Sequence, residues 1–135
     1  MLSPQETAEV KRQSGLKAYR ARLIDGALRL FDEAVALDPS NVEAHADYGV
    51  ALLRKYELTG NTEFLSRGTD ELKRVTELAT RDRRLYLIFA QIGEACDRLG
   101  RREEAREALL KAIELYPDLS VPDDLRERYL ARSSD

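Results

Sequence analysis

The 135-residue sequence holds one cysteine, one histidine, one methionine, four prolines and no tryptophan. With Cys96 alone, an intramolecular disulfide is excluded, and a reducing, cytoplasmic compartment is the expectation. His45 and Cys96 cannot supply the three or four ligands of a typical zinc site, so no metal is expected. No apolar run approaches the ~18 residues of a membrane span. The start, Met1-Leu2-Ser3-Pro4-Gln5-Glu6, lacks the basic-then-apolar order of a signal peptide. Runs of β-branched residues and sustained apolar–polar alternation are missing, which leaves no strand pattern. There is no glycine-rich phosphate loop, nucleophile elbow or HExxH-type helix. Without a convergent polar constellation, the chain is expected to be no enzyme, with no catalytic residue and no cofactor. The net charge is only −3, and from that balance neither a nucleic-acid nor a membrane partner follows.

What the sequence does contain is helix signal, and the class is all-α. Ser3-Pro4-Gln5-Glu6 offers a cap, a proline at the first helical position and a glutamate placed for a capping box. Ser40-Asn41-Val42-Glu43 repeats that logic without the proline, Asn61 or Thr62 can cap a helix from near Glu63, and Asp82 one from near Arg83. Val121-Pro122-Asp123-Asp124 opens a last helix with both acids where the helix dipole favours them. Pro39 and Pro117 stop helices, and Gly60 and Gly100 stand where a left-handed C-terminal residue belongs. The spacing predicts helices over roughly 4–21, 24–37, 41–58, 62–79, 83–99, 102–115 and 122–132. Short links between them make neighbours antiparallel.

The sequence also repeats itself. Gly15, Ala27, Phe31, Ala34 and Pro39 are separated by 12, 4, 3 and 5 residues, and Gly93, Ala105, Leu109, Ala112 and Pro117 by the same intervals. A middle unit reads Gly49, Gly68, Leu72, Val75 and Thr80, at 19, 4, 3 and 5. A small residue in a first helix lets a second helix approach closely, and the 4 and 3 spacings place a small-large-small set on one face of that second helix.

This pattern resembles the tetratricopeptide repeat family, with its period of ~34 residues. Phe89, Ile92, Gly93, Cys96, Gly100, Ala105, Leu109, Ala112 and Pro117 match it almost throughout; His45, Tyr48, Gly49 and Leu52 fill the first-helix slots of the middle unit; Lys11, Ser14, Gly15 and Ala18 fill them poorly in the first. The resemblance implies a right-handed α–α superhelix forming one domain over 1–135, with units near 8–41, 42–82 and 86–119 and a solvating C-terminal helix near 122–132. The middle unit is seven residues longer between its helices, about one turn on each, so its hairpin should protrude around Leu58-Thr59-Gly60-Asn61.

Family members usually hold peptides or partner domains on a concave face lined by the first helices. Carrying those slots over gives Arg12, Leu16, Tyr19 and Arg20; then Ala46, Val50, Leu53 and Arg54; then Leu87, Ala90, Glu94, Asp97 and Arg98. Arg20, Arg54 and Arg98 each follow the slot glycine by five residues, a ladder suited to an acidic segment, because the guanidinium fork pairs a carboxylate bidentately. Glu94 also stands four residues before Arg98 and can pair with it locally. The subset of the family that grips chaperone C-terminal tails uses a clamp of Lys and Asn residues with one Arg; those slots here hold Arg12, Leu16, Asp47, Leu87 and Gln91, which argues against that ligand. His45 falls in a slot for a large aromatic and Cys96 in one facing its own second helix, so both are expected to be packing residues. The alternative to a partner-binding groove is self-association through the divergent first helix, with Val10, Leu16, Tyr19 and Leu23 meeting a second copy.

Overall fold

The computed structural model describes residues 1–79, 82 and 84–131. All regular structure among them is helical: α1 (Pro4–Arg20), α2 (Ile24–Leu37), α3 (Val42–Thr59), α4 (Thr62–Leu78), α5 (Leu85–Arg98), α6 (Arg102–Leu115) and a short α7 (Asp123–Leu125) that continues as π-wound turns over Arg126–Leu130. The chain forms two compact units, Met1–Leu78 and Ala79–Asp135. The first is the stack α1 to α4, each helix packed on the next; the second is the α5–α6 hairpin with the C-terminal segment against α6.

The helix ends follow local chemistry. Ser3 and Glu6 close a complete capping box on α1, and Asn41 accepts from the Ala44 amide at 3.0 Å to cap α3. Ser40 is not part of that cap, since its hydroxyl donates to Asp38 instead. At α4 it is Asn61 that accepts, from the Glu63 amide. Gly60 and Gly100 are left-handed, with φ of 70° and 77°. Two ends differ from the sequence expectation. Asp82 accepts from the Arg84 amide, and the turn this makes delays α5 to Leu85. The last helix is regular only to Leu125 and then widens, rather than running on as one α-helix. Thr80, Arg81, Arg83 and the expected end at 132 lie outside the described residues.

The repeat pattern is the packing pattern. Phe31, Leu72 and Leu109 are each at most 1% exposed, and each rests on the slot glycine of its own first helix, Gly15, Gly49 and Gly93. A Cβ on those glycines would stand 2.6 Å from Phe31 Cε1, 2.8 Å from Leu72 Cδ2 and 2.7 Å from Leu109 Cγ. Ala27, Ala34, Ala105 and Ala112 are fully buried, and Gly68 and Val75 are buried in the middle hairpin. The middle hairpin, α3 and α4, runs to 18 and 17 residues against 17 and 14 for α1 and α2 and 14 each for α5 and α6, and residues 57–63 are all exposed at its tip. In the first unit Tyr48 ties three helices: its hydroxyl donates to Asp32 of α2 at 3.1 Å and accepts from Arg67 of α4 at 2.6 Å.

Candidate partner-binding faces

On the first unit the expected residues divide by exposure. Leu16 and Tyr19 of α1 are half-buried against the cluster of Ala27, Phe31, Tyr48, Ala51 and Leu52. Ala46, Val50 and Leu53 of α3 are half-buried too, and Leu53 Cδ2 reaches to 2.9 Å of where a Gly68 Cβ would stand. Arg20 and Arg54 are exposed; Arg54 pairs with Glu57 one turn on, at 2.9 Å, whereas among the described residues Arg20 has no ion pair. Arg12 is different. It is 14% exposed, forks onto Glu9 at 2.6–3.2 Å and reaches across to Asp47 of α3 at 2.9 Å. The Arg12 hydrogen bonds hold the Glu9 carboxyl well down, to about 2. Asp47 moves the other way: burial raises its carboxyl more than the Arg12 guanidinium lowers it. Arg12 is thus a half-buried brace between α1 and α3, with two carboxylates of its own chain already in its fork.

On the second unit Leu87, Ala90 and Glu94 of α5 come together in one wall of an open cavity of about 320 Å³, whose other walls are Leu109 of α6 and the segment Leu119–Leu125. Leu87 is 53% exposed at its mouth. A smaller, polar cavity of about 200 Å³ adjoins it, lined by Glu94, Asp97, Arg98, Pro122, Asp124 and Leu125. Asp97 is engaged from the C-terminal segment, by the Tyr129 hydroxyl and the Arg128 guanidinium, each at 2.6 Å. Burial raises the Asp97 carboxyl, but those hydrogen bonds and the Arg128 charge outweigh it and leave it below its usual value. The cavity's far wall was not among the residues picked out by sequence. Its signal was present: Val121, Leu125 and Tyr129 recur every four residues and are the buried side of the C-terminal segment.

His45 and Cys96 are packing residues. The His45 ring is buried between Glu71 of α4, 2.6 Å from Nδ1, and the Pro39 carbonyl, 2.7 Å from Nε2; since a carbonyl only accepts, Nε2 carries a hydrogen. Cys96 is fully buried, with Sγ 3.9 Å from Glu104 of its own second helix. Among the described residues no three His, Cys, Asp or Glu side chains gather as metal ligands would, and no helix is long and apolar enough to cross a membrane.

Two family models described as tetratricopeptide repeat match residues 13–69 and 87–119, one in each unit and together two thirds of the chain. The chain belongs to the tetratricopeptide repeat family. Solved structures agree on the fold of this repeat protein. The Arabidopsis OM64 TPR domain matches with a TM-score of 0.74 at 20% identity, over 95% of this chain and 98% of that one. The first TPR of Spaghetti (RPAP3), bound to the HSP90 peptide SRMEEVD, matches at 0.73 and 19% identity, over 92% and 91%. A crystal structure of MamA matches at 0.69 and 24% identity, over 82% of this chain and 58% of MamA. Identities this low speak for the fold alone. No curated protein matches the sequence significantly.

Proposed function

We propose that this tetratricopeptide repeat protein is a non-enzymatic interaction module that holds a peptide or partner domain on the faces of its first helices, α1, α3 and α5. The observation that carries the reading is on α5: Leu87, Ala90 and Glu94, three positions expected to meet a ligand, wall an open, largely apolar cavity. The solved Spaghetti relative is bound to a peptide, which supports a peptide ligand in this fold. A free chain-terminal carboxylate is a poor candidate here, because Arg12 is already neutralised by Glu9 and Asp47.

An acidic segment suits the first unit, where Arg20 and Arg54 are exposed and the Arg54–Glu57 pair is a surface pair worth at most ~1 kcal/mol. The test is affinity capture at low and high salt with wild type beside an Arg20→Glu, Arg54→Glu, Arg98→Glu variant of unchanged helicity and melting. A partner held by wild type, weakened by salt and lost by the variant supports an acidic ligand on these faces. The same partner captured equally by both removes the three arginines from the site.

Self-association is the second reading, favoured by Val10 and Leu23, apolar residues 54% and 63% exposed on and just after α1. Sedimentation decides it: a concentration-independent monomer of 15.4 kDa excludes it.

A further inference from the structure

The geometry points to a bipartite ligand site on the second unit, which takes an apolar side chain of an extended peptide in the α5 cavity and a Lys or Arg of the same peptide against the acidic wall beside it. This rests on reading α5 as a ligand-binding helix and adds the chemistry of what binds there.

The apolar half is built, and among the described residues no side chain fills it. Leu87, Ala90, Leu109, Val121 and Leu125 face it, and about 320 Å³ lies at the low end of the ~300–1,000 Å³ of ligand pockets, room for one or two side chains. It does not close by collapse, because each wall is held from behind. Leu109 is packed against Gly93 of α5. The C-terminal segment is fixed by Asp97, which takes hydrogen bonds from Tyr129 and Arg128, and by Arg106 Nε, which donates to the Tyr129 carbonyl at 3.3 Å. A cavity kept open by its surroundings costs little ordering when a ligand enters.

The charge beside it has one sign to offer. Glu94, Pro122 and Leu125 line both cavities, so the polar one begins where the apolar one ends. Four ionisable groups face it: Glu94, Asp97, Arg98 and Asp124. Asp97 is bound by Arg128 and Tyr129, and Arg98 is itself engaged within the structure. Glu94 and Asp124 remain as exposed carboxylates, which attract a cation and repel an acid. In an extended peptide, side chains two residues apart point the same way about 7 Å apart, which fits an apolar residue followed two positions later by Lys or Arg.

The test is a backbone-amide NMR titration of the full chain with three end-blocked nonapeptides that differ only in a central Leu-Ser-Lys, Leu-Ser-Glu or Gly-Ser-Lys in a Gly/Ser context. The expected result is shifts confined to α5 and residues 119–125, with Leu-Ser-Lys bound about threefold to tenfold more tightly than Leu-Ser-Glu, the effect of one part-exposed ion pair, and Gly-Ser-Lys weakest. Glu94→Gln should reduce the Lys-over-Glu preference, and Glu94→Gln with Asp124→Asn should erase it, while the leucine peptides stay bound. Ala90→Phe, which fills the cavity, should abolish binding of both, and Leu87→Ser should weaken both if the Phe variant melts early. Equal or reversed Lys/Glu affinities, or no response at α5 and 119–125, overturn the proposal. So does a concentration-dependent shift of these amides without peptide, which makes the occupant a second copy. If only α1 and α3 respond, this site is wrong while the interaction-module reading stands; if no surface responds and capture also yields nothing, both fall.

Discussion

The Cβ atom that Gly93 lacks would stand 2.7 Å from Leu109 Cγ and 2.8 Å from its Cδ2. Leu109 is 1% exposed and would have to give up its packed position against α5 to admit that atom. Gly93→Ala gains up to ~1 kcal/mol of helix propensity, but it overpacks a core contact at ~1–3 kcal/mol. The expected net effect is a loss of about 1–2 kcal/mol in urea unfolding. In a double-mutant cycle the cost of Gly93→Ala should shrink in a Leu109→Ala background, because the space it needs has been opened. A Gly93→Ala variant as stable as wild type would mean that the close approach of α5 and α6 does not depend on the glycine.

Phe31 plays the part of Leu109 in the first hairpin, with Gly15 beneath it and Tyr48, Ala51 and Leu52 of α3 in the same cluster. Phe31→Ala therefore removes contacts with both α1 and α3 and should cost about 3–5 kcal/mol in urea unfolding, the range for a buried aromatic. A loss below ~1 kcal/mol would remove Phe31 from the core.

The features legible in the sequence were those decided within a turn or two of chain. Ser3 with Glu6, Asn41, Gly60 and Gly100 act on neighbouring backbone, and Phe31, Leu72 and Leu109 reveal themselves by spacing. What escaped depends on contacts between distant segments. Arg12 has the right residue type and slot for a ligand contact, and although Glu9 stands only three residues before it, Asp47 enters the fork only when α3 packs on α1. The cavity beside Leu87 forms only when the C-terminal segment folds back, with Tyr129 bonded to Asp97 32 residues earlier in the chain. Asp82 was recognised as a cap, but whether its turn opens straight into a helix is decided by backbone geometry that the residue type leaves open.

Arg22 has a positive φ of 65°, a conformation that in the third hairpin falls to Gly100. The two turns are otherwise alike. The Leu23 amide donates to the Ala18 carbonyl at 2.9 Å, and the Arg101 amide to the Cys96 carbonyl at 2.8 Å, so each closes the helix end over six residues. A left-handed non-glycine residue carries ~1 kcal/mol or more of steric strain, which glycine relieves at some cost in unfolded-chain entropy. Arg22→Gly should therefore stabilise the chain by about 0.5–1 kcal/mol and raise its melting temperature. A fall in melting temperature would show that the Arg22 side chain contributes more than its backbone strain costs.

Glu9 and Asp47 share the Arg12 guanidinium and should respond to acid with opposite signs. The folded-state value of Glu9, about 2, lies below the ~4.3 of an unfolded glutamate. The stability it contributes is present above ~4.3 and is lost as pH falls through that value towards 2. Because its side chain is 46% exposed, solvent screening limits the effect to ~1 kcal/mol or less. Glu9→Gln should thus be less stable than wild type at pH 6, and the difference should close by pH ~2. Burial raises Asp47 above its unfolded value, so its contribution is most favourable at low pH, when it is protonated, and is lost as pH rises. An amide in its place should still accept from Arg12, so Asp47→Asn should cost little at pH 6 and its cost should grow rather than close as pH falls; urea unfolding of both variants across pH 2–6 reads the two signs separately. Parallel pH profiles for Glu9→Gln and Asp47→Asn would mean that the two carboxylates act as one shared counter-ion instead of as a favourable and a buried, costly partner.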